Sequence, residues 1–150
     1  MKQKLKMVSL KVEPHQAEAL KKVAVLNNES QSALLRRWID SELASKILEI
    51  VSDLGEDSIE VRADYRENFV THHEQLDSEF ISFNLEIGVW YEYEDYDPET
   101  GFGNVCNVTK TEVTLLQVLD EAGEVHVQAP LRKRIEKEFN KRLSIDIFEL

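Results

Sequence analysis

Two adjacent histidines, two nearby carboxylates and one distant cysteine are the residues of this sequence that could bind a metal ion. His72 and His73 precede Glu74 and Asp77, and Cys106 lies 33 residues after His73. Imidazole, carboxylate and thiolate are common ligands of transition metals. The ligands of compact metal motifs are closer together in the sequence than His73 and Cys106 are. We therefore interpret the two histidines as part of a solvated polar loop, and we predict no metal site.

Catalytic chemistry has no further motif to support it. The sequence contains no glycine-rich phosphate loop, no His-Glu-x-x-His pattern and no Gly-x-Ser-x-Gly pattern. Cys106 has no obvious base beside it, and we interpret it as a small residue of a strand. We therefore expect neither an enzyme nor a cofactor.

The segment NNESQSALLRRWID, residues 27–40, places small polar side chains directly before an apolar helical pattern. Ser30 can serve as the N-cap of that helix, and Asn28 can supply the left-handed turn before it. A phosphate group would use the same geometry, because a helix N-terminus presents unpaired N–H groups and a partial positive charge. Ser30, Gln31 and Ser32 are therefore candidates both for a plain cap and for a phosphate-binding site.

The charge of the chain is strongly asymmetric along its length. The protein has 150 residues and a net charge of -11, yet residues 1–48 carry +4 and residues 49–150 carry -15. Such asymmetry is typical of a nucleic-acid-binding part joined to a part with another role. The single cysteine rules out an intrachain disulfide, and no apolar run approaches the length of a membrane span, so we expect a cytoplasmic protein.

The N-terminal part has the pattern of one strand and two helices. Val8, Leu10 and Val12 alternate with Met7, Ser9 and Lys11, which predicts a short strand. Two helices follow, the first opening at Pro14 and the second running from about Gln31 to Leu54, with Gly55 as its cap. A single strand and two helices cannot close a core, so the pattern predicts a dimer with two paired strands. Such a two-stranded ribbon fits the major groove of DNA.

The stretch VSLKVEPHQAEALKKVAVLNNESQSALLRRWIDSEL resembles the ribbon-helix-helix family of bacterial and phage DNA-binding proteins, which includes the Arc and MetJ repressors. The resemblance covers residues about 6–45. It implies that Met7, Ser9 and Lys11 face the bases and that Ser30, Gln31 and Ser32 bind a backbone phosphate. It also implies a homodimer, whose predicted core residues are Val8, Leu10, Val12, Leu20, Leu34, Leu35, Trp38 and Ile39.

Further basic residues of this part have two interpretations. Lys2, Lys4 and Lys6 add salt-sensitive attraction to DNA phosphates, or they form a frayed terminus. Arg36 and Arg37 lie close to the predicted phosphate site in the sequence, and the alternative interpretation is that they form the solvated face of the second helix or pair with Asp40.

The acidic part has the alternating pattern of an antiparallel sheet. Residues 59–63 and 81–93 alternate, with a bulge expected at Gly88, and a strand, turn and returning strand follow within residues 110–127. An amphipathic helix is predicted for residues 130–143 and a last strand for residues 144–150. The predicted class is α+β, with a ribbon-helix-helix domain over residues 1–54 and an acidic antiparallel domain over residues 56–150.

The sequence is compatible with two functions from different classes. The first is a homodimeric repressor that binds double-stranded DNA, with higher-order assembly on DNA left open. The second uses the N-terminal part for dimerisation only, while the acidic domain binds a basic protein partner as an antitoxin, inhibitor or DNA mimic. The segment YEYEDYDPE, residues 91–99, is the candidate surface for that partner, since it places five carboxylates among three tyrosines. No membrane partner is expected.

Overall fold

The computed structural model describes residues 5–54, 58–94, 98–99, 101 and 105–148. Its helices are α1 (Pro14–Leu26), α2 (Gln31–Asp53) and α3 (Ala129–Asn140). Its strands are β1 (Ile59–Asp64), β2 (Phe69–Asp77), β3 (Ser82–Glu94), β4 (Val105–Asp120), β5 (Gly123–Glu124) and β6 (Leu143–Phe148). The chain divides into two compact units, residues 1–45 and 46–150. The predicted α+β class holds, whereas the predicted boundary lay nine residues later, at residue 54.

The predicted N-terminal strand is wrong. Residues 5–13 have no regular secondary structure, and the described chain begins with two helices instead of a strand. The ribbon-helix-helix arrangement is therefore not the fold of this structure. Alternation alone cannot make a strand, because a strand needs a neighbour to pair its backbone groups.

Both N-terminal helices begin where the sequence predicted. Pro14 is the first residue of α1, and the Gln16 side chain accepts a hydrogen bond from the Glu13 N–H at 3.0 Å. Asn28 has a φ of 52°, which is the left-handed turn expected between the helices. The Ser30 hydroxyl then caps α2, accepting a hydrogen bond from the Ala33 N–H at 3.1 Å. Gly55, the predicted cap at the other end, lies outside the described residues.

The hydrophobic core lies in the second unit. Alternate residues of β3 are almost completely buried, and Ile135 and Phe139 of α3 pack with them. Ile47 and Val51 of α2 belong to the same core, which explains why the second unit begins before α2 ends.

Strands β2, β3, β4 and β5 form an antiparallel sheet in that order. Its irregularities lie between Asn84 and Leu85 and between Trp90 and Tyr91, so the bulge predicted at Gly88 is wrong. At the first irregularity β4 carries one extra residue, Leu116. Side chains of α3 bond the neighbouring Leu115, because Glu136 accepts from its N–H at 2.7 Å and Arg132 donates to its carbonyl. These two hydrogen bonds connect the bulge to α3.

Strands β1 and β6 form a separate, parallel pair, in which Ile59 faces Leu143. The prediction of one antiparallel sheet is therefore incomplete, because pairing across more than 80 residues of chain leaves no local signal. The predicted C-terminal helix ends at Asn140 instead of residue 143, since Leu143 already belongs to β6.

Candidate nucleic-acid interface

The two units carry opposite charge. Residues 1–45 contain eight basic and five acidic residues, whereas residues 46–150 contain ten basic and twenty-four acidic residues. A polyanion such as DNA is attracted by the first unit and repelled by the second. The first unit is therefore the candidate for the interface.

The predicted base-facing residues lie on an exposed, extended segment. Met7, Ser9 and Lys11 are all exposed. Val8 and Leu10, predicted as inward-facing core, are equally exposed, at 89% and 76%. The segment therefore has no inner and outer face within a single chain. Lys2 and Lys4 lie outside the described residues, and Lys6 is exposed.

The N-terminus of α2 combines a cap with exposed polar groups. Ser30 caps Ala33, while the side chains of Gln31 and Ser32 are exposed. The N–H groups of Gln31 and Ser32 belong to the first helical turn, which has no preceding carbonyls within the helix to bond them. A phosphate oxygen could accept from these amides and from the Ser32 hydroxyl.

One arginine near this helix start is already neutralised. The Arg37 guanidinium donates to the Glu29 carboxylate at 2.7 Å, and this hydrogen bond with its charge attraction raises the pKa of Arg37. Arg37 is therefore paired with Glu29, eight residues before it, an interaction that helical spacing did not indicate. Arg36 is exposed, as the solvated-face interpretation expected.

The predicted dimer core is largely on the surface of the chain. Leu34 is completely buried and Leu20 and Leu35 are half-buried, whereas Val12, Trp38 and Ile39 are exposed. Among the described residues of the first unit, only Ala24 and Leu34 are buried. Further apolar residues of this unit are exposed as well, namely Val25, Leu26 and Leu43. A helical pair with so small a core has much apolar surface left for a partner.

The histidines predicted to lie in a loop are on strand β2. His72 Nε2 lies 2.8 Å from Glu74 Oε2, and His73 Nε2 lies 3.4 Å from Glu86 Oε2. Neighbouring residues of a strand point to opposite faces, so the two imidazoles do not converge on one ion. In the described part of the chain no three potential ligands are grouped to hold a metal. Cys106 lies on β4, and its partial burial raises its pKa, which disfavours the reactive thiolate.

The acidic segment at residues 91–99 is only partly available as a surface. Tyr91 is buried and its hydroxyl donates to the Asp64 carbonyl at 2.6 Å, while burial raises the pKa of the phenol. Tyr93 is 37% exposed, and the centroid of its ring lies 4.8 Å from that of Tyr65. Residues 95–97 lie outside the described residues.

No protein-family model, curated protein or solved structure matches the chain. Within the described ranges, none of the helices combines the length and apolar character needed to cross a membrane.

The cap of α2 leads to a first testable expectation. Replacing Ser30 by alanine leaves the Ala33 N–H without its partner, and such a loss costs about 1 kcal/mol of stability. We expect Ser30→Ala to lower the helix content and the midpoint temperature at which the helices of the first unit unfold, both measured by circular dichroism. Ser32→Ala is the matched control, since its exposed side chain makes no cap and its effect should stay within about 0.5 kcal/mol. Equal effects of the two variants would contradict the assignment of Ser30 as the cap.

Proposed function

We propose that the protein is a homodimeric DNA-binding protein, acting as a transcriptional repressor of bacterial or phage type in the cytoplasm. One observation carries the proposal. The first unit is basic and has two buried side chains among its described residues, while the second unit is acidic and has a closed core of its own. The first unit thus has both the charge for DNA and the apolar surface for a second copy.

The dimer is supported by the exposed apolar residues of the first unit. Leu26 is 83% exposed and Ile39 is 66% exposed, and Trp38 lies beside Ile39 in the sequence. Burial of apolar surface contributes about 25 cal/mol per Å², so covering these side chains favours association. Aromatic residues at the centre of an interface carry a large share of the binding energy, which makes Trp38 the expected anchor.

The DNA contacts are proposed for residues that surround this apolar surface. Lys6 on the extended segment and the first-turn amides of α2 are suited to phosphate oxygens. Met7, Ser9 and Lys11 are the residues proposed to reach base edges. Arg36 adds an exposed cation near the start of α2, whereas the charge of Arg37 is offset by Glu29.

The second candidate function is a protein-binding role for the acidic unit. The observation that favours it is an open groove of about 450 Å³ within that unit, where the end of α2 meets the turn between β2 and β3. Glu49, Asp53 and Glu79 line it together with Phe80, which is 68% exposed. Lys46 also lines the groove, and its ammonium group lies 3.7 Å from the Glu49 carboxylate, so the carboxylates outnumber it. Carboxylates around an exposed ring fit a basic and apolar segment of a partner protein.

The experiment that separates these candidates is a binding titration with fluorescent DNA across 50–200 mM salt, roughly the range in which phosphate contacts change affinity most visibly. The probes are duplex DNA from the region upstream of the gene and random duplex DNA. We expect preference for the upstream DNA and a steep fall of affinity with salt, because each phosphate contact contributes about 0.9 to the logarithmic slope.

Paired lysine variants test which unit binds the phosphates. Lys6→Ala/Lys11→Ala should weaken binding and reduce the salt slope by about 0.9 for each phosphate that is no longer neutralised. Lys133→Ala/Lys137→Ala is the matched control, because it removes the same charge from two exposed positions of the acidic unit. Equal losses of affinity for both pairs would contradict the proposed interface. No binding at the lowest salt would overturn the DNA-binding proposal and favour the second candidate.

A further inference from the structure

Strand β2 is the open edge of the antiparallel sheet. It has nine residues, and within the described chain its one strand neighbour is β3. The Asn68 carbonyl accepts from the Tyr91 N–H at 3.1 Å, and the Ser78 N–H donates to the Ile81 carbonyl at 2.9 Å. Residues bonded to one neighbour alternate along an antiparallel strand, so the even-numbered residues bond β3. The odd-numbered residues Phe69, Thr71, His73, Gln75 and Asp77 therefore direct their N–H and C=O groups to the open edge.

The half-buried side chains of β2 form a sequence that complements itself in reverse. Four half-buried residues lie on one face, in the order Val70, His72, Glu74 and Leu76. His73 is the central residue of the strand. At equal distances on either side of it, His72 corresponds to Glu74 and Val70 corresponds to Leu76. An antiparallel copy of the strand would therefore meet complementary residues at each of these positions.

We propose that two copies of this chain associate through β2, with the strands antiparallel and His73 facing His73 of the second copy. In this register Thr71 faces Gln75, and the odd-numbered residues make the backbone hydrogen bonds between the copies. His72 then faces Glu74 and Val70 faces Leu76, both as non-hydrogen-bonded pairs. Side chains approach most closely in such pairs, at about 4.5 Å between Cα atoms. The two sheets join into one continuous sheet.

The electrostatics of β2 favour a second copy in this register. Within one chain His72 and Glu74 already lie 2.8 Å apart, each with about a third of its side chain exposed (34%). The pairing would bring two such pairs together, so that imidazoles and carboxylates alternate around the group and can share hydrogen bonds between the copies. A register centred on Glu74 would place two carboxylates face to face in a non-hydrogen-bonded pair, where side chains approach most closely. The register centred on His73 avoids this and uses the whole strand. Its two facing imidazoles belong to a hydrogen-bonded pair, in which the strands are further apart, and each lies 3.4 Å from Glu86 of its own chain.

Disulfide trapping in the full-length chain tests both the contact and its register. In a Cys106→Ser background, His73→Cys should form a covalent dimer under mild oxidation, because facing residues of a hydrogen-bonded pair have Cα atoms about 5.5 Å apart. Thr71→Cys alone should not, since its counterpart would lie four residues along the second strand, about 13 Å away. Mixing Thr71→Cys with Gln75→Cys should restore cross-linking. Absence of cross-linking by His73→Cys, or equal cross-linking by Thr71→Cys alone, would overturn the proposal.

A proline variant tests the same contact without cross-linking. The Thr71 N–H points to the open edge, so Thr71→Pro leaves the ladder with β3 intact but removes one hydrogen bond between copies. We expect this variant to sediment at half the mass of the wild type, and Thr71→Ser to sediment like the wild type. An unchanged mass for Thr71→Pro would contradict the edge pairing. DNA binding is measured separately on the first unit's lysine variants, so failure of either proposal is recognised independently.

Discussion

Phe139→Ala is expected to lower the free energy of unfolding of the second unit by about 3–5 kcal/mol. Phe139 is completely buried on α3, and its ring packs edge-on against Phe83 of β3 with centroids 5.4 Å apart. Truncation to alanine removes the transfer energy of the ring and leaves a cavity between helix and sheet, because surrounding side chains relax only in part. A loss of this size is a large fraction of the roughly 5–15 kcal/mol that usually stabilises a domain.

Urea denaturation followed by tryptophan fluorescence measures this effect, with Trp90 of β3 as the reporter for the second unit. The matched control is Phe80→Ala, the same change at a ring that is 68% exposed, and it should cost less than about 0.5 kcal/mol. A cost below about 1 kcal/mol for Phe139→Ala would mean that α3 does not pack on the sheet as described.

Ile39→Asp is expected to weaken the proposed dimer of the first unit strongly. Ile39 is 66% exposed in the single chain, so the substitution costs little in the folded monomer. In the proposed dimer it would bury an unpaired carboxylate, and the resulting loss of about 2 kcal/mol or more corresponds to a roughly 30-fold weaker association at least. Because the proposed contacts need two copies, affinity for upstream DNA should fall with it.

Sedimentation velocity in a Thr71→Pro background measures this dimer, because that background removes the proposed pairing along β2. The control is Leu116→Asp, which introduces the same charge at an exposed leucine of the acidic unit. A dimer that persists in Ile39→Asp would place the interface elsewhere. A parent chain that is monomeric at micromolar concentration would contradict the proposed dimer itself.

Local signals in the sequence were sufficient to predict several elements correctly. The cap at Ser30, the turn at Asn28 and the helix start at Pro14 were predicted correctly, because each depends on contacts within four residues. The long strand β3 was also predicted correctly, since its alternate residues are buried on one face along almost its whole length.

Strand β2 escaped prediction because its pattern is weak. Val70 and Leu76 are the apolar residues of its half-buried face, and His72 and Glu74 occupy the positions between them. At the edge of a sheet these polar side chains reach solvent, so the strand depends on its pairing with β3 and carries little hydrophobic signal of its own. The two histidines were placed in a loop for the same reason.

The N-terminal segment is the opposite case, in which a clear pattern did not produce the predicted element. Val8, Leu10 and Val12 alternate perfectly, yet residues 5–13 form no strand in the single chain. A strand is defined by the backbone groups that pair with it, and no pattern of side chains supplies them. The resemblance rests on the order strand, helix, helix, and the structure does not have that order.

The sequence by itself determined the two helical starts, the turn between them, the long alternating strand and the division of charge between a basic and an acidic part. These features depend on residue types and on short spacing along the chain. The tertiary structure decided the parallel pairing of β1 with β6, the neutralisation of Arg37 by Glu29, the fixing of the β4 bulge by α3 and the open edge of β2. Each of these depends on which parts of the chain folding brings together, and contacts between distant residues produce no regular spacing of residue types in the sequence.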